Sequence, residues 1–200
     1  MQLQLPRDAL RRLALRHPQR YPVLFDTTAT GALANRSMLA ACPQAALWRT
    51  GDLRLHSRGI GSHPGDGFLH TLDRHWKRER RPGTGDGFTG GWVVFLGYEI
   101  AAEIEPHLAP PRTGAPERID AFALRCPAVL VRDELSGNAQ IIIEPGAPPG
   151  IEEQVRADLA ALDTPVAPTP WPKWHIEEED PALYLERVRR AQEYIRAGDI

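Results

Sequence analysis

Four prolines within residues 164–174 divide this chain. The stretch reads Thr-Pro-Val-Ala-Pro-Thr-Pro-Trp-Pro-Lys-Trp. Each proline fixes φ and removes a backbone donor, so neither a helix interior nor a central strand runs through it. What remains is an extended connector. The composition changes across it. Short apolar runs alternating with turn residues lie before it, and an acidic helix start, Glu177-Glu178-Glu179-Asp180, lies after it. The expected organisation is a first domain over 1–163, a linker over 164–174 and the start of a second domain over 175–200.

Beyond the linker the chain carries complete helix punctuation. Asp180 suits the N-cap, Pro181 the first helical position and Gly198 the left-handed residue past the end. Tyr184, Val188, Ala191 and Ile195 recur at helical spacing, while Glu186, Arg187, Arg189, Arg190, Glu193 and Arg196 take the other side. Such an apolar stripe needs a surface to bury against. Either the helix docks back on the first domain, or it opens a second domain of which this chain holds only the beginning.

Several functions are disfavoured at once. A hydrophobic share of 42% and a charged share of 25% belong to an ordinary globular chain. With a formal net charge of −2 and no dominant basic stripe, no nucleic acid partner is expected. The basic run over 74–81 reads as the solvated face of a helix. No apolar run approaches the roughly 20 residues that span a bilayer, and the first seven residues lack a signal-peptide core, so no membrane partner is expected. Cys42 and Cys126 each precede a proline and form no paired pattern. That favours a reducing, cytoplasmic setting with both thiols buried and inert.

Within the first domain, 23–26 reads as a short strand entering a turn at 27–31, and 37–41 as a second strand. Residues 45–49 and 53–57 form a hairpin through Thr50-Gly51-Asp52. Phe68, Leu69, Leu72 and Trp76 give 68–80 an apolar helical face. The continuous run Trp92-Val93-Val94-Phe95-Leu96 reads as a central strand. Residues 126–131 and 139–143 form a second hairpin around Ser136-Gly137-Asn138, and Ile151, Val155, Leu159 and Leu162 mark an amphipathic helix. These elements predict an α+β fold, a mixed, mostly antiparallel sheet with helices on the outside.

No spacing in the chain makes a catalytic constellation. The glycines over 83–91 precede a strand, whereas a phosphate loop follows a strand and opens a helix. The seven histidines contain no i, i+4 pair, and there is no paired cysteine set for zinc. No Gly-x-Ser-x-Gly elbow occurs. Glu99, Glu103 and Glu105 follow an apolar strand and read either as acid/base groups or metal ligands, or as a helix start beside Pro106.

Three segments together nevertheless resemble one family. Gly90-Gly91-Trp92-Val93-Val94-Phe95-Leu96-Gly97-Tyr98-Glu99, continuing to Ile104-Glu105-Pro106, resembles the Gly-Gly…Gly-Tyr-Glu/Asp…Glu segment of chorismate-using synthases. These are aminodeoxychorismate synthase component I and anthranilate synthase component I. Tyr184-Leu185-Glu186-Arg187-Val188 through Tyr194-Ile195-Arg196-Ala197-Gly198-Asp199-Ile200 resembles the opening helix of their chorismate-binding domain, where Phe-Gln-x-Asn typically follows. Pro22-Val23-Leu24-Phe25-Asp26-Thr27, with Ser37-Met38-Leu39-Ala40-Ala41-Cys42-Pro43, is similar to the family's amino-terminal strand pair. The segments lie in family order and cover nearly the whole chain. The compact Gly-Trp…Gly-Tyr-Glu segment and the short first domain look more like the aminodeoxychorismate enzyme.

The resemblance implies a fold like the N-terminal domain of anthranilate synthase component I, followed by the first helix of a truncated chorismate-binding domain. It implies a parent enzyme that takes ammonia from a glutamine amidotransferase partner. That enzyme converts chorismate to 4-amino-4-deoxychorismate, toward p-aminobenzoate and folate, with Mg2+ acting on the ring substituents. The family's magnesium-binding glutamates and the lysine of its Pro-Ile-Lys-Gly-Thr-like motif have no counterpart here, and Lys77 and Lys173 are the only lysines. This chain alone is therefore expected to bind no Mg2+ and to be inactive. The alternatives are an anthranilate synthase component I fragment, or a non-catalytic module that docks an amidotransferase subunit.

The family's N-terminal domain can also hold tryptophan. By position, Thr27 stands where the pocket's serine hydroxyl would be, and Leu33, Ala34, Asn35 and Arg36 fall on its second stretch. The usual aromatic residues are absent there, and an indole needs apolar or aromatic walls. Tryptophan binding is expected to be weak or lost, with structural packing the role of these positions.

Overall fold

The computed structural model describes residues 3–28, 35–63, 65–80, 90–105, 107, 115–163, 175 and 177–199. The chain divides into two compact units, Met1–Pro165 and Val166–Ile200.

The first unit is α+β and is built on two antiparallel sheets. In chain order it holds β1 (Leu3–Gln4), α1 (Ala9–Arg16), β2 (Val23–Phe25), β3 (Arg36–Ala41), β4 (Ala45–Thr50), β5 (Leu55–Arg58), α2 (Phe68–Glu79) and β6 (Gly91–Leu96). A 3-10 turn at Tyr98–Ile100 runs into α3 (Ala101–Ile104). There follow β7 (Ile119–Cys126), β8 (Ala128–Asp133), β9 (Asn138–Ile143) and α4 (Ile151–Ala160), which ends in a second 3-10 turn, Ala161–Asp163. One sheet has the order β1-β9-β8-β3-β2 and the other β5-β4-β7-β6. Every pairing among the described strands is antiparallel.

Two short links carry the chain from sheet to sheet, and they run side by side. Residues 42–44 join β3 to β4, and Pro127 joins β7 to β8. In the register Ala41 lies opposite Ala128, while Ala45 lies opposite Arg125. Between these pairs the Gln44 N–H donates to the Arg125 carbonyl at 2.8 Å. Cys42 makes the bend with a positive φ of 56°, which side chains seldom adopt. Pro127 supplies no ladder donor, so the strand breaks there. The predicted strand over 126–131 is thus split: Cys126 ends one sheet and Ala128 begins the other.

Each sheet buries one face beneath helices. Leu10 and Leu13 of α1, Tyr21, Leu39, Leu130 and Val155 of α4 form the core over the five-stranded sheet. Phe68 of α2, Leu47, Ile100, Ala121 and Ala123 form the core over the other. The alanines of β7 leave room there for α2 and the 3-10 turn to approach closely.

Two sequence expectations need correction. The apolar run Trp92-Val93-Val94-Phe95-Leu96 is an edge strand, not a central one, since among the described residues β6 pairs only with β7. Val94, Phe95 and Leu96 stay 42%, 46% and 48% exposed. An unbroken apolar run says that both faces are apolar, but it carries no information about how many strands flank it. In α2 Phe68, Thr71 and His75 are buried and Leu69 and Leu72 pack against the core as expected, while Trp76 is 45% exposed with the Arg80 guanidinium 5.3 Å from its ring.

The second unit contributes α5 (Pro181–Ala197). The Ala182 N–H donates to Asp180 Oδ1 at 2.9 Å, and Gly198 takes a left-handed φ of 80° past the end. The predicted caps are those observed. Among the described residues no helix is long and apolar enough to cross a membrane.

The burial pattern sets a graded stability test. Leu130→Ala, at a position 1% exposed, should cost about 2–5 kcal/mol. Leu15→Ala, 68% exposed, should stay within about 0.5 kcal/mol. Urea unfolding of both variants checks the contrast.

Candidate functional site

The residues singled out for an effector pocket sit where β2 leads toward β3. Thr27 Oγ1 donates to the Arg36 carbonyl at 2.6 Å, and the Thr27 N–H donates to Ser37 Oγ at 3.0 Å. Asp26, beside Thr27, pairs with Arg11 at 2.5 Å, and the Asn35 carbonyl accepts from the Glu134 N–H at 2.8 Å. The structure therefore brings Thr27 and Arg36 together and ties Asn35 to the residue after β8. Leu33 and Ala34 lie outside the described residues. The Thr27 hydroxyl proton, the group offered for ligand recognition, is already engaged by the protein's own backbone.

The Glu103 carboxylate, the Glu99 backbone carbonyl and Asp120 converge on a buried guanidinium. Arg49 of β4 is 5% exposed. Its Nη1 donates to Glu103 Oε1 at 3.1 Å and its Nη2 to the Glu99 carbonyl at 2.8 Å. Asp120 Oδ2 lies 3.5 Å from Nη2. The two Glu103 carboxylate oxygens also accept from the Phe68 N–H (3.1 Å) and the Leu69 N–H (2.9 Å). Those donors are orphans at the start of α2, and a carboxylate there is favoured by the helix dipole. Glu103 thus caps one helix from another element. Glu99 pairs with Arg118 at 2.6 Å, and Arg118 with Asp120 at 3.1 Å.

A second polar centre lies under α4. Asp158 Oδ2 accepts from Tyr21 Oη at 2.6 Å and from Arg20 Nη1 at 2.5 Å, and Gln154 Nε2 reaches Oδ1 at 3.3 Å. Burial works to raise the Asp158 pKa, but the Tyr21 hydroxyl and the Arg20 guanidinium outweigh it and hold the carboxyl below its ordinary value of 3.8. Burial and the same hydrogen bond push the Tyr21 phenol upward. Near the sheet links, Arg125 joins Glu79 at the end of α2 to Glu144 after β9, each at 2.7 Å.

No free nucleophile emerges among these groups. Burial pushes the Cys126 thiol up to about 12 and raises that of Cys42 as well. His75 is buried, with Nε2 2.8 Å from the Gly61 carbonyl and Nδ1 2.9 Å from Arg78 Nη2. That pattern assigns the neutral ring with its proton on Nε2. Among the described residues, no group of three or more His, Cys, Asp and Glu is placed to hold a metal ion. Sequence reasoning missed Arg49 and Asp120 altogether. An isolated arginine inside Leu-Trp-Arg-Thr gives no sign of burial until its acidic partners are placed in space.

Comparison with known proteins adds little at the sequence level. No protein-family model matches the chain, and no curated protein matches it. Among solved structures it is similar to anthranilate synthase component I from Streptococcus pneumoniae TIGR4, with 19% identity and a TM-score of 0.49. The match covers 88% of this chain and 41% of that one, so this chain spans less than half the neighbour's length. A likeness at that level carries no activity from one protein to the other.

Two outcomes test the electrostatic arrangement. Glu103→Ala leaves Arg49 short of a charged partner and uncaps α2, and should destabilise the protein by about 2–4 kcal/mol, measured by denaturant unfolding. Asp158→Asn should cost about 1–3 kcal/mol near neutral pH. Because the folded pKa of Asp158 lies below its ordinary value, its contribution is complete above about pH 4 and fades as pH falls below 3.8 through the folded value. The gap between wild type and variant should therefore narrow on acidification.

Proposed function

We propose that this chain is the N-terminal part of a chorismate-using synthase, of the aminodeoxychorismate synthase component I type. The observation that carries this is the Gly-Gly-Trp-Val-Val-Phe-Leu-Gly-Tyr-Glu segment, whose glycines sit where the backbone requires them. Gly91 has a φ of 146°, and a Cβ on Gly97 would meet the Asp120 carbonyl oxygen at 2.6 Å. A motif enforced by backbone geometry is a marker of the fold.

On this proposal the parent polypeptide converts chorismate and ammonia to 4-amino-4-deoxychorismate in the cytoplasm. A glutamine amidotransferase partner delivers the ammonia. Chorismate and Mg2+ are handled by residues outside this chain, which alone turns nothing over. Thr27, Leu33, Ala34, Asn35 and Arg36 serve packing rather than tryptophan binding. The intramolecular hydrogen bond from Thr27 Oγ1 to the Arg36 carbonyl supports that for the first and last of them.

Incubating the parent polypeptide with chorismate, ammonium and Mg2+, then analysing products by mass spectrometry, tests the proposal. We expect 4-amino-4-deoxychorismate. Anthranilate and pyruvate would shift the assignment to the anthranilate enzyme, and no chorismate consumption would remove the catalytic assignment. Calorimetric titration of this chain with tryptophan should show no binding, and a micromolar constant would restore the effector pocket.

A further inference from the structure

The four sheet edges are not alike. β1 has two residues, β2 three, and β5 four with His56 and Arg58 among them. Shortness and charge are the ordinary protections of an open edge. β6 has six residues, Gly91-Trp92-Val93-Val94-Phe95-Leu96, with no charge and no proline. Its outer flank is unpaired among the described residues. Val94, Phe95 and Leu96 are about half exposed, as a strand covered on one side should be.

Aromatic side chains line up across that sheet toward the open edge. Phe95 of β6 lies opposite Phe122 of β7, Phe122 opposite Trp48 of β4, and Trp48 opposite His56 of β5. The Phe95 and Phe122 rings are 5.4 Å apart, and those of Trp48 and His56 5.3 Å. Cross-strand pairs of this kind stabilise a sheet, and among the described residues the row stops at Phe95.

We propose that β6 is a self-association edge, pairing antiparallel with β6 of a second copy about a two-fold axis through Val94. The sequence is chemically palindromic about that residue. Antiparallel pairing there sets Val94 opposite Val94 of the second copy, Val93 opposite Phe95, Trp92 opposite Leu96 and Gly91 opposite Gly97. Every pair is apolar or unencumbered, and the pleat keeps each face continuous with its own sheet. An isologous contact needs this self-complementarity. The Arg125 guanidinium, opposite Trp92, is already paired with Glu79 and Glu144. Two four-stranded sheets thereby become one of eight strands.

The axis makes a specific test. Sedimentation equilibrium of the chain should show a reversible monomer–dimer equilibrium. Val94→Lys and Val94→Glu each put like charges face to face and should weaken the dimer at least about tenfold. An equimolar mixture of the two variants should restore a heterodimer. Circular dichroism melting verifies that both variants fold, as expected for a half-exposed edge position. A wild-type monomer throughout, variants that still dimerise, or a mixture that stays monomeric would overturn the proposal. Independently of any variant, amide exchange over 92–96 should slow as protein concentration rises, and concentration-independent exchange would contradict it.

Discussion

The side-by-side crossing of the chain between two sheets, at 42–44 and at Pro127, is the constraint from which the first unit follows. Paired strands pass through it together: β3 and β8 on one side become β4 and β7 on the other. The register is carried through by the Gln44–Arg125 backbone bond, so a slip in one sheet would force a slip in the other. Helices then settle wherever the sheets leave apolar faces. α1 and α4 cover one sheet, and α2 covers the other.

Arginines, one buried and two half-buried, hold what the hydrophobic cores do not. Arg49 joins β4 to the turn after β6 and, through Glu103, to the start of α2. Arg125 joins the end of α2 to the segment after β9. Arg20 and Tyr21 converge on Asp158 of α4. Each guanidinium offers several fixed donors, which suits it to linking three elements at once. Such pairs add little net stability over an apolar replacement, yet losing one partner is costly because the other charge remains buried. Their acidic members therefore belong to the scaffold. That is why the Glu103 carboxylate, which spacing alone left open as an acid/base group or metal ligand, is tied into the scaffold, whereas the Glu99 carboxylate pairs with Arg118 nearer the surface.

Local signals were legible wherever a single segment contained its own explanation. The caps of α5 at Asp180 and Gly198, the β4–β5 and β8–β9 hairpins and the Ile151/Val155/Leu162 face needed no distant partner. What escaped was decided elsewhere in the chain. Ile119–Cys126 is poor in β-branched residues, and it is a strand because β4 and β6 flank it. The edge position of β6 depends on the number of neighbours, which an apolar run does not encode. Trp76 resembles a core residue by spacing, but Thr71 and His75 face inward in its place. For the candidate pocket, the internal use of the Thr27 hydroxyl was not readable, since its acceptor is the Arg36 backbone carbonyl in β3.

The functional proposal rests on a motif whose glycines the backbone requires and on a second unit that begins with a well-capped helix. On that proposal both are N-terminal features of a larger synthase, whose chemistry would belong to residues beyond those of this chain. The most direct measurement is the nucleotide sequence of the coding frame beyond the codon for Ile200. We predict an open frame that continues with Phe-Gln-x-Asn and later encodes a Lys-Gly-Thr motif. A stop codon directly after Ile200 would contradict the assignment and leave a non-catalytic two-sheet module in its place.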